Sequence, residues 1–179
     1  MLSVMPHGGK PTTRDSRSTP KPFVGPWVVL FPATYLAYIA EEYWGGFPAR
    51  TAELTRLAIP DGAFLGANAL FWALMTIAVF LVLRRPTRAL LVVALATILA
   101  INAALHIGGT LLSASYSPGL VSALLLWLLL GVAALVRGRR SLSKRDFRAG
   151  LLIGVAIHAA VPLVLVAFVL LLGEHWRAA

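Results

Sequence analysis

A small set of polar side chains interrupts long apolar stretches of this sequence, at spacings that favour shared helix faces. One predicted stripe on a helix consists of Thr34, Tyr38, Glu41 and Glu42. Asn102 and His106 are four residues apart, so they stack on one face of a second helix. Carboxyl, phenol and imidazole groups that meet in an apolar setting can donate and accept protons. The predicted catalytic residues are therefore Tyr38, Glu41, Glu42 and His106.

Two further polar residues, Asn68 and His158, lie in other apolar stretches. Gly150 and Gly154 precede His158 at four-residue steps and form a small-residue face that packs closely on a neighbour. His158 is therefore expected to point into the bundle, next to a helix kink at Pro162. We predict that Asn68, Asn102 and His158 bind a substrate, since polar groups inside a membrane bundle mark a functional site by default.

Each of these residues also has a purely structural interpretation. Glu41 and Glu42 could end a helix at the water interface. Asn68 and Asn102 could form hydrogen bonds that hold helices together. His158 could be a packing residue beside the kink.

The composition excludes a soluble globular enzyme and a disordered chain. The 179 residues are 59% hydrophobic and 13% charged, whereas a soluble domain has about 45–50% apolar and roughly 25% charged residues. The absence of cysteine removes disulfides, thiolate metal sites and a thiol nucleophile. The net charge of +9 would point to nucleic acid in a soluble protein, but the positions of the cations oppose that interpretation.

The apolar stretches predict an all-α, polytopic membrane bundle over residues 23–173. A helix needs roughly 20 residues to cross a bilayer, and five stretches approach that length: 23–40, 62–83, 89–112, 120–136 and 149–172. Residues 1–22, which are rich in Pro, Gly, Ser and Thr, are predicted to form a disordered cytoplasmic tail. Residues 174–179 would form a short C-terminal tail.

The distribution of cations predicts a cytoplasmic N-terminus and an external C-terminus. Most of the 16 Lys and Arg residues then lie inside: Lys10, Arg14, Arg17, Lys21, Arg84, Arg85, Arg88, Arg137, Arg139, Arg140, Lys144, Arg145 and Arg148. Only Arg50, Arg56 and Arg177 lie outside, as the positive-inside rule requires. We therefore expect a multi-pass protein of the cell membrane that contacts lipid headgroups and no nucleic acid. In this orientation the polar groups gather in an outward-facing intramembrane pocket.

Two short motifs resemble those of the HXXEE-domain family of small integral membrane proteins. The first is Tyr38-Ile39-Ala40-Glu41-Glu42-Tyr43, followed by Gly46-Phe47-Pro48. The second is Asn102-Ala103-Ala104-Leu105-His106, followed by Ser115-Tyr116-Ser117-Pro118-Gly119-Leu120. The resemblance adds Tyr116 to the predicted substrate-binding residues. Tyr38 stands where the motif has its first histidine, and a phenol is a poor ligand for a divalent metal, so no metal is expected. No other cofactor is expected either.

Two classes of function follow. The first is a membrane-embedded acid–base enzyme that cyclises, isomerises, dehydrates or opens an epoxide of a lipophilic substrate. A carboxylic acid sheltered from water, Glu41 or Glu42, would donate a proton, with His106 as its complementary base. The second class is a non-catalytic carrier, chaperone-like subunit or partner-binding bundle. A metal variant of the enzyme, with a glutamate, His106 and His158 as ligands, would suit hydrolysis or oxidation.

Overall fold

The computed structural model describes residues 23–56 and 58–177. Within these residues the regular structure is entirely helical, which confirms the predicted all-α class. The tail predicted to be disordered, residues 1–22, lies outside the described residues, as do residues 57, 178 and 179.

Six helices make up the described part of the chain: α1 Leu30–Trp44, α2 Phe47–Thr55, α3 Asp61–Arg84, α4 Leu90–Ser113, α5 Leu120–Ser141 and α6 Lys144–Arg177. Short 3-10 turns, Pro26–Val29 and Pro86–Arg88, lead into α1 and α4. Within α5, residues Ala123–Leu128 form a π-helical stretch. Pro162 lies inside α6.

Four of the helices are long and apolar enough to cross a membrane. They are Asp61–Arg84, Pro86–Ser113, Leu120–Ser141 and Lys144–Val164. These helices coincide with the second to fifth stretches that the sequence predicts. The first helix, α1, is not among them, since it has 15 residues that include Pro32, Glu41 and Glu42.

One face of α1 is buried against the other helices. Its members are Phe31, Tyr35, Tyr38 and Glu42, which follow one another at steps of four, three and four residues. This face differs from the predicted stripe in one respect. The hydroxyl of Thr34 turns back to the backbone carbonyl of Leu30 at 2.7 Å, and Tyr35 occupies the buried face instead.

Helix α4 forms the centre of the bundle and contacts α3, α5 and α6. Its contact with α6 depends on Gly150 and Gly154, as the small-residue face predicts. A Cβ atom on Gly154 would lie 2.6 Å from the carbonyl oxygen of Ala94 and 2.6 Å from Cβ of Thr97. A Cβ atom on Gly150 would lie 2.7 Å from the carbonyl oxygen of Leu90. The two helices can approach this closely only because both positions lack a side chain.

We predict that Gly154→Ala destabilises the bundle, because its methyl group has no space between α4 and α6. Overpacking of this kind typically costs about 1–3 kcal/mol. The measurement is the thermal unfolding of the purified protein in detergent. Gly108→Ala on α4 is the matched control, since a Cβ atom there meets nothing within 4 Å. A Gly154→Ala protein that is as stable as the control would contradict the close contact.

Candidate functional site

The hydroxyl group of Tyr38 is the centre of a buried polar cluster. It donates a hydrogen bond to the carboxylate of Glu42, one turn further along α1. Nε2 of His106 lies 2.7 Å from the hydroxyl oxygen of Tyr38, and Oδ1 of Asn102 lies 3.2 Å from that oxygen. Nε2 of His106 is also 3.5 Å from Oε1 of Glu42. The two pairs of residues that the sequence places on helix faces therefore face each other, and together they form the Tyr38 cluster.

Burial sets the energetics of the Tyr38 cluster. Tyr38 is 3% exposed, Glu42 4% and His106 7%. Polar groups this deeply buried are costly unless each is hydrogen-bonded. The shared hydroxyl group of Tyr38 satisfies several of them at once, which links α1 to α4.

Ser117 extends the Tyr38 cluster to a cavity. Its Oγ atom lies 2.9 Å from Nδ1 of His106, the ring nitrogen that faces away from Tyr38. The same serine lines a cavity of about 110 Å³, together with Phe47, Arg50, Thr51, Gly109, Ser113, Tyr116 and Pro118. A continuous hydrogen-bonded chain thus runs from Glu42 through Tyr38 and His106 to Ser117 at the cavity.

Two aromatic residues that the sequence did not assign to the site complete its wall. The indole ring of Trp127 stacks on Tyr38, with ring centroids 3.8 Å apart, and on Tyr35 at 5.5 Å. Trp127 is 1% exposed, and among the described residues its indole N–H has no hydrogen-bond partner. It lies in the π-helical stretch of α5, a type of distortion that is frequent at functional sites.

Gly119 packs directly against the Tyr38 cluster. Its φ angle is +94°, in the region that favours glycine. A Cβ atom there would lie 2.9 Å from Cγ of Glu42 and 3.0 Å from ring carbons of both His106 and Tyr38. The backbone of the loop 114–119 can cover the cluster only because this position has no side chain. The glycine is part of the second motif, but its contact with the first motif could not be foreseen.

Glu41 turns away from the Tyr38 cluster and holds the covering loop. Its carboxylate accepts hydrogen bonds from the backbone N–H groups of Val121 at 2.9 Å and Ser122 at 2.6 Å. It thereby caps the first turn of α5, where a negative charge is favourable. The carboxylate also accepts a hydrogen bond from the hydroxyl of Tyr116. This bond, with partial burial, raises the pKa of Tyr116 to about 12, so its phenol stays protonated at neutral pH.

The remaining predicted binding residues occupy different places. Asn68 accepts a hydrogen bond from the hydroxyl of Tyr35 at 2.9 Å. It is therefore connected to the Tyr38 cluster through Tyr35 and not by a direct hydrogen bond. His158 is half-buried on α6. Gly154 of α6 packs beside Ala94 and Thr97 of α4. Because the two helices run in the same direction, His158 lies roughly 10 Å from the level of His106, toward the N-terminal end of α4.

The donor atoms of the Tyr38 cluster do not amount to a metal centre. Among the side chains that the structure describes, no three from His, Asp or Glu are grouped so that they could hold a metal ion. Glu42 and His106 are the only such pair at the cluster, and their third partner is a phenol. What this arrangement can do chemically is to hold and move protons.

The fold and the site define a helical bundle of membrane type with a buried carboxylate, phenol and imidazole. The family model described as "Protein of unknown function with HXXEE motif" matches residues 29–134, and the chain belongs to this family. The match covers α1 to α4 and most of α5, which includes the whole Tyr38 cluster. No curated protein and no solved structure matches the chain.

We predict that Gly119→Ala disrupts the contact between the covering loop and the Tyr38 cluster. The substitution adds backbone strain at positive φ, about 1–2 kcal/mol, and a clash with three side chains. Gly46→Ala separates the two effects, since Gly46 has φ +80° and its Cβ would meet nothing within 4 Å. In thermal unfolding, Gly119→Ala should therefore lose clearly more stability than Gly46→Ala. An equal loss of stability in the two variants would mean that the loop is not in close contact with the Tyr38 cluster.

Proposed function

We propose that this protein is a membrane-embedded enzyme that carries out acid–base chemistry on a lipophilic substrate. The observation that carries the proposal is the hydrogen-bonded chain from the buried Glu42, through Tyr38 and His106, to Ser117 at the cavity. General acid–base catalysis needs a proton donor and acceptor within hydrogen-bond reach of the reacting group. Ser117 provides that reach, because it both contacts His106 and lines the cavity.

These hydrogen bonds define a path for a proton between Glu42 and Ser117. The phenol of Tyr38 donates a hydrogen bond to the Glu42 carboxylate, so its oxygen accepts a hydrogen bond from the protonated Nε2 of His106. In that state Nδ1 of the neutral imidazole accepts a hydrogen bond from the hydroxyl group of Ser117. When the imidazole is protonated, Nδ1 donates to Ser117 instead, and the serine hydroxyl is free to donate to a substrate oxygen. The imidazolium charge is balanced by the Glu42 carboxylate at 3.5 Å.

The proposed reactions are those that such a proton relay suits: cyclisation, isomerisation, dehydration or epoxide opening. Glu42 and His106 would hold the proton, Tyr38 would pass it, and Asn102 would orient the phenol. Glu41 would act as a positioning residue, since it fixes the loop that carries Ser117. The exposed apolar residues Leu105, Leu111 and Leu112 on α4 would allow a lipophilic substrate to approach from the membrane.

We also propose five membrane spans with the N-terminus inside, which makes the protein a multi-pass protein of the cell membrane. Four helices have the length and composition of spans, and α1 with its preceding turn would be the fifth. The polar face of α1 is packed inside the bundle, so its low hydropathy need not expose polar groups to lipid. This orientation places the Tyr38 cluster and the cavity in the outer half of the membrane.

The proposed topology predicts which single cysteines can be labelled from outside the cell. The chain contains no cysteine of its own. Gly62→Cys should react with a membrane-impermeant maleimide, whereas Ser141→Cys should react only after the membrane is permeabilised. Both positions are exposed, and a side chain at Gly62 meets nothing within 4 Å. If Ser141→Cys is labelled in intact cells and Gly62→Cys is not, the orientation is the opposite of the proposed one.

A non-catalytic role is the second candidate, and the position of Gly119 favours it. The groups of the Tyr38 cluster are fully engaged with one another, and the covering loop lies directly on them. A cluster that never opens would serve to lock α1 onto α4 in a carrier, a chaperone-like subunit or a partner-binding bundle. The two candidates differ in whether removal of the proton relay abolishes a product or only weakens the fold.

We predict that Glu42→Gln and His106→Ala each abolish turnover, because either change interrupts the proton relay. The double variant should be no worse than the single variants, as expected of residues that act as a unit. The measurement is the change in the lipid extract of a deletion strain that is complemented with each variant. Glu53→Gln is the matched control, since the side chain of Glu53 is 68% exposed on α2. Thermal unfolding of each purified variant verifies that the bundle still folds.

The outcome separates the two candidates. If both single variants are folded and the product accumulates at the wild-type level, the Tyr38 cluster is not catalytic. If both variants lose stability and no product of the wild-type strain depends on the protein, the cluster has the structural role.

A further inference from the structure

A second polar feature lies at the opposite end of the bundle, where α5 ends and α6 begins. A groove of about 280 Å³ is lined by Arg139, Lys144, Phe147, Arg148 and Leu151. It is separate from the Tyr38 cluster and plays no part in the proton relay. The three cations come from both helices, so the groove exists only where the two helices meet.

No acidic side chain that the structure describes neutralises the cations of this basic groove. Residues 137–151 contain a single acidic residue, Asp146. Its carboxylate accepts a hydrogen bond from the hydroxyl of Ser143 at 2.8 Å, and this serine caps the start of α6. Among the residues that the structure describes, Arg139, Lys144 and Arg148 form no ion pair. The groove therefore presents three uncompensated positive charges to an anion.

The remaining residues of the basic groove are apolar. Phe147 is half-buried, and the guanidinium group of Arg139 lies 5.9 Å from the centroid of its ring. Leu151 follows one turn later on α6, in the direction of the apolar part of the helix. The groove thus changes from cationic to apolar along α6. That polarity gradient matches an amphiphile with an anionic head and a hydrocarbon tail.

The position of the basic groove decides between the possible sources of an anion. Candidate spans end at Ser141 and begin at Lys144. In the proposed topology, on which this inference rests, the groove therefore lies at the depth of the cytoplasmic lipid headgroups. Basic pockets between membrane helices on the cytoplasmic side are suited to anionic lipid heads. We infer that the basic groove binds the phosphate of an anionic phospholipid, with its acyl chain running past Leu151.

The experiment compares lipid nanodiscs that contain the full chain. In phosphatidylcholine alone the protein has a reference unfolding temperature, and a minor fraction of phosphatidylglycerol should raise it. Native mass spectrometry should show phosphatidylglycerol retained on the protein. Substitution of Arg139, Lys144 and Arg148 by Gln should weaken retention by about 100-fold, at roughly a factor of five per cation. The variant should keep its unfolding temperature in phosphatidylcholine.

The matched control replaces Arg84, Arg85 and Arg88 by Gln, which removes the same charge from the other predicted cytoplasmic loop. It should retain phosphatidylglycerol like the wild-type protein. Equal loss in the two triple variants would overturn the inference, since it would show attraction to surface charge in general. Inorganic phosphate added to phosphatidylcholine nanodiscs should not raise the unfolding temperature. If phosphate does so as well as phosphatidylglycerol does, the groove is a site for a soluble anion.

Discussion

The bundle depends on one buried oxygen atom, the hydroxyl of Tyr38. Helix α1 contributes Tyr38 and Glu42, helix α4 contributes Asn102 and His106, and all of these groups meet at that oxygen. Polar groups removed from water must find partners, and here each helix supplies what the other lacks. The oxygen thereby links α1 to α4, directly under the covering loop and beside the ring of Trp127.

The grouping of the Tyr38 cluster could be predicted in part from the sequence, because its residues follow helical spacing. Tyr38 with Glu42, and Asn102 with His106, are one turn apart, so each pair had to share a face. The sequence could not separate Glu41 from Glu42, since neighbouring positions on a helix differ by about 100° and the direction of α5 was unknown. Only the structure shows that Glu41 caps α5 and that Tyr116 bonds to it. Tyr35 was missed, although its spacing from Phe31 and Tyr38 carried the signal.

Apolar length predicted α3 to α6 well and α1 less directly. The long helices expose many apolar side chains and keep few polar ones, so composition alone identifies them. Helix α1 keeps tyrosines and glutamates because its polar face is turned to protein. The mean hydropathy of the whole helix does not show this difference between its two faces. His158 shows the limit of face-based reasoning. The glycines that precede His158 predict the contact of α6 with α4, but that contact lies near the start of α4, whereas His106 lies near its end.

The π-helical stretch Ala123–Leu128 sets the rotational relation between the two parts of α5. Such a stretch holds about one residue more than the α-helix it interrupts. If the same residues formed a regular α-helix, the part of α5 before the stretch would be rotated by roughly 100° relative to the part after it. The first turn of α5, which Glu41 caps, and Gly131, which packs closely on Ala96, could then not both keep their contacts. The extra residue therefore acts as a phase adjustment, which lets one helix serve two partners whose positions differ by a fraction of a turn.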